Sequence, residues 1–152
     1  VIADRVIIMN AGHIVQSGVP QQIYRYPSCR FVANFLGLSN QVKGHVVKQD
    51  GQSIVLTKIG NFPIRNWDEE KEVTVLLRPD SVQLGDGSDY KLRGEVEEVT
   101  FRGSASKVSI SIEDNLFSFN FPSNIALPAK SQAVTISFNP DDAIQVFPEE
   151  CL

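Results

Sequence analysis

Lys107-Val108-Ser109-Ile110-Ser111-Ile112-Glu113-Asp114-Asn115-Leu116-Phe117-Ser118-Phe119-Asn120-Phe121 is the stretch that decides the fold class. Apolar and polar residues alternate through Lys107–Ile112 and again through Phe117–Phe121. Neighbouring side chains of a strand point to opposite faces, so this period of two buries one face and wets the other. Glu113-Asp114-Asn115 lies between the two runs. Short acid and amide side chains bond their own backbone and tolerate bent conformations, which marks a turn.

Outward from this pair, Val42–Val47, Ser53–Thr57, Val73–Arg78, Gly94–Phe101, Val134–Phe138 and Ile144–Phe147 read as further strands. Gln49-Asp50-Gly51, Gly85-Asp86-Gly87-Ser88 and Asn139-Pro140-Asp141-Asp142 separate them as turns. Many short strands at this spacing predict a mainly β barrel or sandwich, because closure removes exposed edges. Lys43-Gly44-His45-Val46-Val47 and Arg93-Gly94-Glu95-Val96-Glu97 resemble each other and point to two related β segments.

Before about Asn40 the texture differs. Ala3–Met9 and His13–Gln16 predict a hairpin around Asn10-Ala11-Gly12. Pro20 suits a first helical turn, where its missing N–H has no partner to lose, and Pro27 ends that short helix. Ser28 is the expected cap of a second helix, whose Phe31, Val32, Phe35 and Leu36 share one face, with Gly37 as its stop.

Composition narrows the function. With 42% hydrophobic and 21% charged residues, the 152-residue chain sits in the globular range. A net charge of −4 speaks against nucleic-acid binding, which needs a basic surface. Only Cys29 and Cys151 are present, far apart, which reads as neither a disulfide framework nor a zinc pattern and suits a reducing compartment. The chain opens on Val1-Ile2-Ala3-Asp4, without an initiator methionine or a signal-like run, and is read as a piece of a longer protein.

Signals of catalysis are sparse. His13 and His45 have no ligand-forming neighbours at metal spacing, Asp68-Glu69-Glu70-Lys71-Glu72 reads as a solvated loop, and no Gly-rich loop ends in Gly-Lys-Ser/Thr. Cys29, at a helix start, reads as packing. No catalytic, metal or cofactor-binding residue is therefore assigned. Arg78-Pro79-Asp80 ends a strand, with Arg78 expected to pair with Asp80 in a structural role. Arg102-Gly103-Ser104, together with Ser106, forms a turn that could offer N–H groups and a guanidinium to a small oxyanion. The same serines could instead satisfy their own backbone.

Ala3-Asp4-Arg5-Val6-Ile7-Ile8-Met9-Asn10-Ala11-Gly12-His13-Ile14, Gln16-Ser17-Gly18-Val19-Pro20-Gln21-Gln22-Ile23-Tyr24 and Arg30-Phe31-Val32-Ala33-Asn34-Phe35-Leu36-Gly37 resemble one region of known ATPases. It is the stretch after the switch histidine in ABC-transporter ATPases of the maltose, spermidine/putrescine, sulfate and ferric-iron importer type. Leu77–Leu84, Gly94–Gly103 and Phe138–Phe147 resemble the TOBE domain, an OB-fold-like module at the C-terminus of such ATPases. The resemblance implies an ATPase-domain remnant over 1–37 and a TOBE barrel or sandwich over 40–148. The family's Walker motifs, signature motif and switch histidine would lie upstream of Val1, so ATP and Mg²⁺ belong to the parent and no cofactor to this piece. The expected role is regulatory and dimerising, with the alternative of a small-oxyanion sensor. Expected partners are a second copy, through the β domains, and the membrane permease subunits of the parent, at the cytoplasmic face of the cell membrane.

Overall fold

The computed structural model describes residues 4–65 and 67–151. The hairpin predicted at 107–121 is present as β9 (Ala105–Ile112) and β10 (Asn115–Pro122), in a register that pairs Val108 with Phe119 and Ile110 with Phe117. Glu113 and Asp114 both take positive φ, at 48° and 64°. Two such residues in sequence match the right-handed twist of the flanking strands and close a tight hairpin. Phe117, Phe119 and Phe121 all point into the core, as the alternation requires.

Two five-stranded antiparallel sheets share that core. β3 (Gln41–Gln49), β4 (Gln52–Thr57), β5 (Gly60–Ile64), β6 (Glu72–Leu77) and β12 (Ile144–Phe147) form one, in the order β12-β6-β3-β4-β5. β7 (Gln83–Leu84), β8 (Tyr90–Arg102), β9, β10 and β11 (Ala133–Phe138) form the other, in the order β7-β11-β8-β9-β10. The protein is mainly β and OB-fold-like, its sheets curled into half-barrels.

The two orders superimpose when β3 is matched with β8, β4 with β9, β5 with β10 and β6 with β11. The strand that follows each half then crosses over: β7 flanks the second sheet and β12 the first. The two similar strand starts noted in the sequence are the central strands of the two halves. Gly44 and Gly94 occupy them for the same reason. A Cβ on Gly44 would stand 2.6 Å from Val55 Cγ2, and one on Gly94 would stand 2.4 Å from the Ser111 carbonyl oxygen. Only glycine admits so close an approach where a strand coils against its neighbour. The correspondence extends to the loops: Arg78-Pro79-Asp80 follows β6 as Asn139-Pro140-Asp141 follows β11.

Asn40, 3% exposed, helps close the structure. Its Nδ2 donates to the carbonyls of Leu77 (3.2 Å) and Ser118 (2.8 Å), and its Oδ1 accepts from Ser118 N–H at 2.9 Å. One side-chain amide thus stands in for a strand residue between the edge of β10 and the end of β6.

The N-terminal segment has its own small core. β1 (Val6–Asn10) and β2 (His13–Gly18) form a separate two-stranded sheet, followed by α1 (Pro20–Arg25) and α2 (Arg30–Phe35). Ile8, Ile23, Cys29 and Val32 are buried together, with Val6 and Val15 against them. Three expectations are corrected here. β1 begins at Val6, and Ala3 lies outside the described residues. Ser28 does not cap α2: Cys29 occupies the cap position, and Ser28 N–H donates to Gln16 Oε1 at 2.9 Å. Phe35 turns outward, 66% exposed, because six residues are too few for the predicted apolar stripe to face one surface throughout. Gly37 does stop the helix, at φ +77°.

Cys29 and Cys151 form a disulfide, with Cα atoms 5.3 Å apart across 122 residues of sequence. Cys29 does pack in the small core, but the bridge corrects the reading of the two cysteines as forming no disulfide framework. The tail after β12 folds back onto the N-terminal core, which also places Cys151 against that cluster. Among the described residues, no helix is long and apolar enough to cross a membrane.

Candidate functional site

Each half of the β structure ends in a Pro-Asp loop, and both loops face α1 across an open groove of about 1300 Å³. Pro79 cannot donate to a ladder, so β6 ends there and the chain turns toward the groove. Asn139 caps α3 (Pro140–Ala143) by accepting from Asp141 N–H at 3.0 Å, and this turn sets Asp141 in the lining of the groove.

Arg78 is the centre of the arrangement. Its Nη1 donates to the carbonyls of Tyr24 (2.9 Å) and Arg25 (3.5 Å), the last residues of α1, and to Gln145 Oε1 at 3.4 Å. The guanidinium carbon also lies 4.8 Å from the Tyr24 ring centroid. Carbonyls at a helix end have no partner within the helix, and a cation there also meets the negative end of its dipole. The planar fork of arginine meets both demands while stacking on the ring, which an ammonium would do less well.

The expected Arg78–Asp80 pair is thus replaced by an indirect one. Tyr24 Oη donates to Asp80 Oδ2 at 3.2 Å, and Asn120 Nδ2 donates to Asp80 Oδ1 at 3.0 Å. Arg78 and Asp80 grip the two ends of one tyrosine instead of each other. Burial, reinforced by the charge of Asp80, raises the Tyr24 pKa above the usual phenol value. Burial likewise lowers that of Arg78. Backbone bonds complete the frame, from Arg78 N–H to Ala143 O (2.7 Å) and from Asn120 N–H to Pro79 O (3.0 Å). The result is a polar staple between the N-terminal segment and the β barrel. Sequence reasoning found Arg78, Pro79 and Asp80 but missed Tyr24, whose position after an apolar Ile23 signalled only a helix face.

The second set of candidate residues lies elsewhere. Arg102, Gly103 and Ser104 sit exposed at the turn between β8 and β9, with Gly103 at φ +82°. Ser106 is 2% exposed, and its Oγ stands 3.2 Å from Ser123 Oγ. The turn therefore gathers three of the four residues at its tip and directs the fourth inward. His45 bridges to Glu72 across β3 and β6 at 2.8 Å, and Lys48 approaches Asp68 at 3.7 Å, so the histidine and the acidic run are accounted for as surface pairs. Among the described residues, no group of three or more His, Cys, Asp or Glu is placed to hold a metal ion.

Comparison with known proteins places these features in a family. The TOBE domain model matches residues 75–146, which span from β6 to β12 and include both Pro-Asp loops. A spermidine/putrescine import ATP-binding protein, PotA, of Onion yellows phytoplasma is 29% identical over 141 residues, covering 93% of this chain and 33% of that protein. The Fe(3+) ions import ATP-binding protein FbpC of Streptomyces avermitilis is 38% identical over 114 residues, 75% of this chain and 32% of that protein. The chain spans about a third of the length of these relatives. Among solved structures, the cytoplasmic molybdate-binding protein ModG shares the fold with a TM-score of 0.53 at 14% identity, over 72% of this chain and 96% of that one. Residues 75–146 match the TOBE domain, and the chain as a whole matches the TOBE-containing part of ABC importer ATP-binding subunits.

Proposed function

We propose that this chain is the regulatory and dimerising C-terminal portion of an importer ATPase that powers solute uptake through membrane permease subunits at the cytoplasmic face. The observation that carries the reading is the Arg78–Tyr24–Asp80 staple. It ties the segment resembling the end of an ATPase domain to the β barrel through the side chains of Arg78, Tyr24 and Asp80, the arginine stacked on the tyrosine ring. Displacement of the barrel is thereby transmitted to α1 and not lost in a slack linker. ATP and Mg²⁺ belong to the longer parent, since a phosphate cradle, metal ligands and a water-positioning group are needed for hydrolysis and this chain offers no phosphate loop. On this reading the chain itself is a non-catalytic interaction module that pairs with a second copy through its β domain.

A second reading, a sensor for small oxyanions, has the exposed Arg102-Gly103-Ser104 turn in its favour. Arg102 forms no ion pair among the described residues. The fold similarity to a molybdate-binding protein gives the test its probe. Thermal unfolding is followed with molybdate, sulfate, ferric citrate, spermidine and Mg-ATP. A ligand that binds only the folded state raises the melting temperature by mass action. The interaction module predicts a flat response to all five. A saturable rise with molybdate or sulfate that Arg102→Ala abolishes would establish the sensor instead.

A further inference from the structure

β8 is thirteen residues long, and its two neighbours divide it: β11 pairs with the first half and β9 with the stretch from Glu95 onward. β11 pairs with it from Tyr90 to Glu95, and the loop after Ala129 adds bonds from Val96 N–H to Gln132 O (3.0 Å) and from Ser131 N–H to Val96 O (2.7 Å). A bulge between Val96 and Glu98 follows, and from Glu98 to Arg102 the strand pairs with β9 alone. Among the described residues, no other backbone group bonds this stretch from the open side. An unpaired edge is a template for another strand, and proteins usually guard it with charge or a bulge. This edge nevertheless exposes Val99 (37%) and Phe101 (73%).

We propose that the free edge of β8 pairs antiparallel with the same edge of a second copy of this chain, about a twofold axis at Thr100. The proposal rests on the reading of the β domain as the dimerising part and names the surface. A twofold axis through a continuous sheet must put directly opposed residues on the same face, so it has to pass through a residue and not between two. With the axis at Thr100, Glu98 opposes Arg102 and Val99 opposes Phe101, each pair occurring twice. Opposite charges then meet on one face and apolar side chains on the other. Thr100 Oγ1 lies 3.5 Å from Glu98 Oε1, which identifies the charged face. An axis at Val99 would set Glu98 against Thr100 and Glu97 against Phe101, and one at Phe101 would leave Arg102 against Thr100. Only the Thr100 axis makes the edge complementary to itself, and cross-strand pairs of these kinds are the stabilising unit of a sheet. The charges that would repel a foreign strand match the chain's own.

A surface of two short strand segments lies at the small end of protein interfaces, so a weak, reversible dimer is expected. The test is sedimentation of the whole chain from about 1 to about 100 μM, with circular dichroism melts confirming that each variant folds. Glu98→Arg should weaken association at least tenfold, because arginine would face arginine twice. The double variant Glu98→Arg, Arg102→Glu should restore it to within a few-fold of the original, and Phe101→Ser should weaken it. A wild-type chain that stays monomeric would defeat the dimerising reading itself. A wild-type dimer indifferent to all of these substitutions would leave that reading intact and overturn the β8 edge.

Discussion

The N-terminal segment and the β barrel solve the same problem with unequal means. In the barrel, two sheets bury a continuous core in which Phe117, Phe119 and Val108 are almost inaccessible. In the segment, one hairpin and two six-residue helices bury a handful of side chains and leave Ile7, Met9 and Ile14 more than half exposed. An isolated two-stranded sheet is marginal in water, and so are helices this short. The barrel holds itself together by packing. The segment is held by what fastens it: the Cys29–Cys151 bridge on one side and the Arg78–Tyr24–Asp80 staple on the other.

That contrast breaks most visibly at the phenylalanines. Phe119→Ala removes a fully buried ring and should cost about 3–5 kcal/mol in cooperative unfolding. Phe35→Ala, at an exposed helix position, should stay within about 0.5 kcal/mol of wild type. Comparable losses at the two sites, measured by urea denaturation, would mean that the segment packs as densely as the barrel.

Reduction sharpens the same comparison. Opening the bridge frees a long loop in the unfolded chain, an effect typically worth about 2–4 kcal/mol. Dithiothreitol should therefore expose residues 4–38 to limited proteolysis while the fragment from about Gln41 onward survives. Simultaneous digestion of both regions would show that they unfold as one unit.

A smaller effect is expected from alkaline pH. The Tyr24 pKa is raised in the folded state, so the stability it contributes is complete below the ordinary tyrosine pKa of about 10 and is lost as pH rises through the folded value. Proteolysis of the segment in the wild-type chain should accelerate above that pH, and in Tyr24→Phe that acceleration should be absent. Identical pH profiles would remove the Tyr24–Asp80 bond from the account.

The smallest effect concerns the barrel alone. Ser137 is inaccessible, and among the described residues its hydroxyl has no hydrogen-bond partner. Ser137→Ala removes an unsatisfied polar atom and should be neutral or stabilising, by at most about 1 kcal/mol, as read from the melting temperature. A clear loss would reveal a hydrogen bond that the geometry does not show.

Legibility in the sequence follows the same divide. Alternation marks burial directly, so the long barrel strands were readable, and the turn at Glu113–Asp114 fell where the side chains predicted it. β5 escaped because Pro63 argues against a strand, although at a sheet edge a missing N–H costs nothing. β7, two residues long, carries no period to detect. Asn40 was visible only as a boundary, because its role depends on carbonyls 37 and 78 residues away in sequence. Separations of 54 and 122 residues likewise hid Tyr24 from Arg78 and Cys29 from Cys151.

The Arg-Pro-Asp loop couples the two regions and does not serve the barrel alone. Amide hydrogen exchange on the oxidised chain, comparing wild type with Arg78→Ala, tests it most directly, since exchange resolves local opening element by element. Exchange should be faster in β1, β2, α1 and α2, with the amides of β3, β4, β8 and β9 unchanged. Equal loss of protection in the barrel strands, or no change in the N-terminal elements, would contradict it.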